Sequence, residues 1–256
     1  MRNIRVPFRL KQKLLRTAVL TLSLALLLGG CGPLITAPDS RDIPIEKKEK
    51  KLDENGWRTI LEAVRVSKSI TNFSVQADLR TREQNKYHES RVFGHVVLPD
   101  KIVMSQSVDG RSYYVYQDEN ITYYRKEDVW RPVERIRLPD TWGSLERLSN
   151  AQLSKVYRQK DISMLTPNDT EVYEFEADAV AVAGLPAPQG KSIPSRYTIY
   201  IDKKDRFIRQ IDIVSTSAVD DVGTLFSEAA IKFFDIGTTK VEMPAALEKH
   251  LKEQKR

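Results

Sequence analysis

Cys31 carries the only thiol in this chain. The types and spacing of the residues before it indicate which modification of that thiol to expect. The first 30 residues hold six basic residues and no acidic one, and a mostly apolar segment, residues 18–28, leads into Gly29, Gly30 and Cys31. A positive flank, a short apolar segment and small residues before a cleavage point are typical of an export signal. The sequence therefore predicts a signal peptide over residues 1–30, with Cys31 as the first residue of the mature chain.

A pair of small residues directly before a cysteine resembles the lipobox of bacterial lipoproteins, in which the cysteine receives a diacylglyceryl group. The only thiol among 256 residues stands at the end of the one apolar segment. The alternative is a transmembrane anchor with an incidental cysteine, but about 11 residues are well short of the roughly 20 that cross a bilayer. The resemblance implies lipidation of Cys31 with palmitate-type chains and an extracytoplasmic protein anchored to the outer face of the cell membrane.

The charge balance argues against one class of partner. The whole chain has 41 basic and 35 acidic residues and a pI near 9.2. Without residues 1–30, 35 residues of each sign remain, so the mature chain is formally neutral. Nucleic-acid binding draws on clustered Lys and Arg, and we expect no nucleic-acid partner. No second cysteine exists to form an internal disulfide, so the stability of the domain must come from packing.

Residues that could support catalysis are sparse. Two of the three histidines, His88 and His95, lie seven positions apart in one predicted strand, which places them on opposite faces. We favour a structural or surface role for both over metal binding. No glycine-rich phosphate loop, zinc-ligand spacing or Gly-x-Ser-x-Gly motif is present. We therefore expect a protein that is not an enzyme, with no catalytic residue, no cofactor and no metal.

Residues 31–52 are predicted to be a lipidated, disordered tether. This segment contains Pro33, Pro38, Pro44 and a run of Lys and Glu at 46–51, and such a charged, weakly apolar composition does not fold alone. Its lysines could contact anionic head groups, although a solvated linker is the favoured interpretation.

The first part of the folded region predicts a helix followed by a meander of strands. Asp53 is the expected helix cap, and Trp57, Ile60, Leu61, Val64 and Ile70 recur at helical spacing. Six alternating segments follow, at residues 73–80, 87–98, 101–108, 111–117, 121–125 and 129–133. The Asp-Gly pair at 109–110 between two of them is a strong hairpin signal.

The second part predicts two short helices, near Trp142 and at residues 149–157, and then more strands. The strands are expected at 171–178, 196–202, 207–215, 225–236 and 240–242, followed by a charged tail over residues 245–256. Residues 183–195, rich in Gly and Pro, predict a long loop that is either functional or a loose connection. This order favours one α+β domain over residues 53–244, with a curved antiparallel sheet around the helices.

A dense aromatic band lies within the predicted meander, where it could bind a partner or pack across strands. Its members are Tyr113, Tyr114, Tyr116, Tyr123, Tyr124 and Trp130. Exposed aromatic residues anchor partners, whereas neighbouring strands ordinarily pair such side chains. We favour cross-strand packing.

The end of the chain resembles the LolA/LolB-like superfamily, which includes LppX/LprG-related lipoproteins. The resemblance rests on YTIYIDKK at 197–204, AIKFFDI at 230–236 and VEMP at 241–244, and in pattern it covers most of residues 53–244. It implies an unclosed half-barrel with helices in its mouth, where some members hold acyl chains. The carriers of this group are soluble periplasmic proteins, and the lipobox at Cys31 departs from that shuttling role.

Two functions follow as hypotheses. The first is a membrane-anchored protein that binds a lipid or acyl chain in the half-barrel, with a cavity lined by Phe73, Val75, Tyr173, Phe175, Ile199 and Ile211. The second is an interaction module without a cavity that docks another envelope protein. An apolar cavity of several hundred Å³ favours the first, and solid packing with an exposed aromatic patch favours the second.

Overall fold

The computed structural model describes residues 50–83, 86–136, 142, 146, 155–159, 169–178, 194–219 and 223–254. The predicted signal peptide, Cys31, the first part of the tether and residues 183–193 of the predicted loop lie outside these ranges.

The described residues form twelve strands and two helices of at least ten residues. They are β1 (Lys50–Leu52), α1 (Gly56–Lys68), β2 (Asn72–Glu83), β3 (Lys86–Val97), β4 (Lys101–Val108), β5 (Arg111–Gln117), β6 (Thr122–Lys126), β7 (Val129–Pro132), β8 (Tyr157–Gln159), β9 (Thr170–Asp178), β10 (Pro194–Asp202), β11 (Ile208–Val219), β12 (Gly223–Phe234) and α2 (Ala245–Gln254).

All twelve strands belong to one antiparallel sheet that does not close. The strand order is β1-β8-β9-β10-β11-β12-β2-β3-β4-β5-β6-β7, so β1 and β7 lie at opposite edges. The predicted fold class, α+β with an unclosed antiparallel sheet, is confirmed. The predicted bounds of β4 and β5 are also correct, because Asp109 and Gly110 adopt positive φ angles of 46° and 79° and close the hairpin between them.

The two helices pack on opposite faces of the sheet. α1 packs against β10 and β11, and we call this side the α1 face. Leu247 of α2 packs with Tyr116 and Trp130, whose side chains point to the other side, the α2 face, because successive strand residues alternate. The predicted packing of the sheet around its helices is confirmed for α1, and α2, which the sequence predicts only as a charged tail, lies on the opposite face.

Several predicted boundaries at the start of the domain need correction. Lys50–Leu52 are not part of a disordered tether, since they form β1 and pair with β8. Asp53 does not cap α1: Asn55 occupies the N-cap position, and the Asp53 carboxylate accepts a hydrogen bond from the Asn55 backbone N–H at 2.9 Å. Short charged segments such as 50–52 give no periodic signal, and only their partner strand determines their structure.

Two further corrections concern short segments whose partners are distant in sequence. The predicted helix at 149–157 overlaps β8, which begins at Tyr157 and pairs with β9. Residues 240–242 form no strand and instead lead into α2. The charged tail is a helix whose Leu247 is fully buried, so most of it belongs to the folded domain.

Candidate functional site

The α1 face carries two apolar rows that run across neighbouring strands. The antiparallel register aligns the members of each row side by side. From β9 to β2 the first row is Phe175, Tyr197, Ile213, Ala229 and Leu79. From β9 to β3 the second row is Tyr173, Ile199, Ile211, Ile231, Ala77 and Val92.

All six residues predicted to line a cavity lie on the α1 face, but four of them are core residues in this structure. Tyr173, Phe175, Ile199 and Ile211 are each no more than 2 % exposed. The Phe175 ring lies 4.6 Å from the Trp57 ring of α1 and stacks on Tyr197 at 5.3 Å, measured between centroids. The part of the α1 face formed by β9, β10 and β11 is therefore packed against α1.

The other two predicted residues, Phe73 and Val75 of β2, are only partly buried. They pack at the edge of the same core, where the Phe73 ring contacts Phe233 edge-on at 5.7 Å. Three further apolar residues of the α1 face are also partly exposed: Leu79, Met104 and Ala229. The role of Phe73 and Val75 as ligand contacts stays a prediction. Alternation in β2 and β4 could have identified Leu79 and Met104 as further members of this face.

Two clefts are found among the described residues, and neither includes any of the six predicted residues. One, of about 730 Å³, lies at the β1 edge and is lined mainly by polar and charged residues, among them Lys51, Asp53, Arg158 and Lys203. The other, of about 840 Å³, is lined by charged residues of the α2 face such as Asp78, Arg91 and Lys232, by uncharged polar residues, and by apolar residues that include Leu79 and Ala229. Both linings differ from the apolar cavity that the sequence predicts.

Glu171 organises the charges beside the first cleft. Its carboxylate accepts hydrogen bonds from Arg158 at 2.8 Å, from Arg206 at 2.9 Å and from the Tyr173 hydroxyl at 3.2 Å. Burial raises the pKa of Glu171, but the hydrogen bond from Arg206 and the charge of Arg158 outweigh it, so that the pKa lies below its usual value. The carboxylate is thus held ionised and joins β8, β9 and the β10–β11 turn.

One polar cluster has the residue types of a hydrolytic triad but not its geometry. It consists of Ser74, His95 and Asp235. The Ser74 hydroxyl lies 2.8 Å from His95 Nδ1 and donates to Asp235 Oδ2 at 3.2 Å. In a working triad the acid orients the histidine, whereas here it contacts the serine. Ser74 is fully buried and its oxygen is also 3.0 Å from the Thr239 hydroxyl. This cluster joins β2 and β3 to the segment that leads into α2.

The aromatic band is divided between the two faces, as its alternation predicts. Tyr116, Tyr123 and Trp130 pack under α2, and Tyr113 stacks on Tyr124 at 6.0 Å on the α1 face. Cross-strand packing therefore accounts for these five. Tyr114 is 37 % exposed on the α2 face, with the Arg125 guanidinium 5.1 Å from its ring centroid.

No helix among the described residues has the length and apolar composition needed to span a membrane. Within the same residues, no group of three His, Cys, Asp or Glu side chains is placed to hold a metal ion.

Comparison with known proteins gives matches only at the level of structure. No family model and no curated protein sequence matches the chain. LprF from Mycobacterium bovis is similar at 12 % identity and a TM-score of 0.44, covering 76 % of this chain and 98 % of that one. A LolA superfamily protein from Nitrosomonas europaea matches at 10 % identity and a TM-score of 0.26, covering 74 % and 95 %. A putative outer membrane lipoprotein-sorting protein domain from Vibrio parahaemolyticus matches at 8 % identity and a TM-score of 0.25, covering 78 % and 99 %.

Proposed function

We propose that this protein is a lipid-anchored, extracytoplasmic binding protein without enzymatic activity, and that its ligand is apolar, a lipid or an acyl chain. The anchor is the diacylglyceryl group on Cys31, and the ligand lies on the α1 face. The observation that supports this proposal is the apolar surface of β12, β2 and β4 beside α1, where Val75, Met104 and Ala229 are only partly buried. Partly buried apolar residues of neighbouring strands offer apolar surface that an acyl chain can cover.

This placement changes the set of residues that we propose as ligand contacts. Phe73 and Val75 remain proposed ligand contacts, and Leu79, Met104 and Ala229 join them. Tyr173, Phe175, Ile199 and Ile211 support the site from the core, because they are already in contact with other protein groups.

Two adjacent alanines of β12 allow a matched test. Ala229 points to the α1 face and packs on its core, and Ala230 lines the cleft on the α2 face. Ala229→Phe should fill the ligand site and weaken binding of a fluorescent fatty acid at least about tenfold, a change of roughly 1.4 kcal/mol. Ala230→Phe adds the same ring to the opposite face and should leave binding unchanged. The full chain purified from membranes would be used, with mass spectrometry of the lipids that co-purify with it.

Equal binding by the two variants, or no probe binding and no co-purified lipid in the unaltered protein, would rule out the ligand site. A non-enzymatic interaction module for another envelope protein would then be favoured. The observation behind that second candidate is the exposure of Phe93 (39 %) and Tyr114 (37 %) on the α2 face, because exposed aromatic residues anchor protein partners.

The anchor is tested separately. Cys31→Ala should leave an uncleaved or mislocalised precursor that no longer partitions into the detergent phase as the unaltered protein does. Globomycin-sensitive processing and phase partitioning measure this outcome. A Cys31→Ala protein that still partitions like the unaltered one would contradict lipidation at this residue.

A further inference from the structure

The surface under α2 is an apolar groove that holds a helix. Leu247 of α2 packs there with Tyr116 and Trp130. The strand register places Val103, Tyr116 and Tyr123 side by side on β4, β5 and β6, so three neighbouring strands form the floor. We call these three residues, together with Trp130 of β7, the helix groove. Because β4, β5 and β6 are paired on both sides, they offer no free edge to an added strand, and a helix is the occupant that fits.

α2 is held in this groove by few contacts. Of its ten residues, only Leu247 is fully buried, and the His250 ring meets Tyr123 edge-on at 6.3 Å between centroids. The polar side chains of α2 pair with each other: Lys252 with Glu248, Lys249 with Glu253, and Gln254 with His250. A helix with so few buried contacts opens locally at a free energy well below that of global unfolding.

Trp130 has an unused hydrogen-bond donor in the helix groove. Its side chain is 5 % exposed, and its buried Nε1–H has no hydrogen-bond partner among the residues that the structure describes. An indole N–H can only donate, and leaving a buried donor unpaired costs free energy. α2 therefore covers Trp130 without supplying an acceptor. A helix that brings an acceptor to this place would bind more tightly than α2 does.

Exposed aromatic surface continues beside the helix groove. The register aligns Trp130 of β7 with Arg125, Tyr114, Ser105 and Phe93 on successive strands. Phe93 is 39 % and Tyr114 37 % exposed, so α2 leaves both rings open to solvent. Exposed aromatic side chains of this kind anchor protein partners. An occupant that extends past α2 would cover both rings and bury more apolar area than α2 does.

We infer that α2 occupies the helix groove until an amphipathic helix of another protein replaces it. The partner helix places an apolar side chain where Leu247 lies, and a Gln or Glu side chain of that helix accepts the hydrogen bond from Trp130 Nε1. The helix also extends over Tyr114 and Phe93. This inference concerns the α2 face and goes beyond the lipid site proposed for the α1 face, so that either can fail without the other.

Binding of a helical peptide in trans tests the groove. The probe is a fluorescein-labelled peptide with the sequence AALEKHLKEQ of α2, and the receiving proteins are the full chain and its Leu247→Ala variant. In the unaltered chain α2 competes with the probe at an effective concentration on the order of 1 mM. We therefore expect the probe to bind the Leu247→Ala chain at least about tenfold more tightly than the unaltered chain. Lys249→Ala, at an exposed position of α2, is the matched control and should bind the probe like the unaltered chain.

The unpaired indole N–H of Trp130 gives the second readout. Isotope-labelled tryptophan gives one indole resonance for each of the three tryptophans, and Trp130→Phe assigns one of them. Probes with His250→Gln or Leu251→Gln carry an acceptor at a partly buried position of α2. We expect one of the two to shift the Trp130 resonance and to bind about three- to tenfold more tightly than the unaltered probe. Trp130→Phe in the receiving chain should remove this gain, and probes with Lys249→Gln or Lys252→Gln, at exposed positions, should show none.

The resonances of the other two tryptophans, Trp57 and Trp142, guard against a folding defect. Both belong to or pack against the core on the α1 face, so they should stay unchanged in the Leu247→Ala chain and when the probe binds.

Four results would overturn the inference. The first is no binding of the probe to a folded Leu247→Ala chain, and the second is binding that neither acceptor strengthens. The third is a dimer of the unaltered chain that Leu247→Ala abolishes, since α2 of a second copy would then be the occupant. The fourth is quenching of Trp130 fluorescence by vesicles of brominated phosphatidylcholine, since the groove would then face a lipid surface.

Discussion

The two helices dock on opposite faces of one sheet, and they do so in different ways. α1 buries a stripe that includes Ile60, Ala63 and Val64 in the main core, against residues from β2, β3 and β9–β12. Among the residues of α2, only Leu247 is fully buried, in a small cluster with Tyr116 and Trp130. The difference shows that α1 is part of the core that holds the sheet together, whereas α2 covers a local patch.

The largest expected effect is on the α1 face. Phe175→Ala removes a ring that is 1 % exposed and lies between Trp57 and Tyr197, and it should cost about 3–5 kcal/mol in the free energy of unfolding. Urea denaturation followed by tryptophan fluorescence measures this cost. Phe93→Ala is the control on the other face: its ring is 39 % exposed, and the loss should be below about 1 kcal/mol. A small loss for Phe175→Ala would mean that its ring borders open space after all.

The next effect should be confined to α2. Leu247→Ala removes the one fully buried side chain of this helix and should cost about 2–3 kcal/mol. Because α2 is a local unit, hydrogen exchange should accelerate in residues 245–254 and around Trp130 and not in β9–β11. Lys249→Ala, at a solvent-exposed position of the same helix, is the control. Uniform acceleration across the sheet would contradict the local role of α2.

The hydrogen-bond cluster around Ser74 joins β2 and β3 to the segment that leads into α2. It should contribute less to the free energy of unfolding than Leu247 does. Ser74→Ala leaves His95 Nδ1 and the Thr239 hydroxyl without their shared partner and should cost about 1–2 kcal/mol. Ser105→Ala, which removes a partly exposed hydroxyl of the same face with one long bond of 3.4 Å, should be nearly neutral. Thermal unfolding of the two variants side by side measures the difference, and equal melting temperatures would contradict it.

The smallest effect is expected at the β1 edge and depends on pH. The pKa of Glu171 is lowered in the folded protein, so its carboxylate stabilises the fold above the usual carboxyl pKa, and this contribution is lost as the pH falls through the folded pKa. Glu171→Gln should therefore cost about 1 kcal/mol at neutral pH and progressively less in acid. Stability curves at several pH values measure the effect. A cost that does not change with pH would show that the ionised form contributes nothing.

The sequence predicts those helices and strands whose structure depends on residues close to them in the chain. The alternation of apolar and polar residues, together with the turn residues, predicts the exact bounds of β4 and β5. The helical spacing of apolar residues predicts α1. The sequence does not predict β1, β8 or the docking of α2, since two three-residue strands and a lone buried leucine acquire their structure from distant partners. The predicted lining fails in part for the same reason: alternation places Phe175 on the correct face, but only the position of Trp57 determines that the ring is covered by protein.

The position of β2 beside β12 has a consequence for how the chain reaches its native state. Val75, near the start of the folded part, pairs with Phe233, near its end, whereas most other neighbouring strands follow each other along the chain. The six strands from β2 to β7 can assemble early as local hairpins, but the seam at the centre of the sheet waits for β12. Contacts of such long sequence separation slow folding. A nascent chain that lacks β12 therefore cannot complete its central sheet.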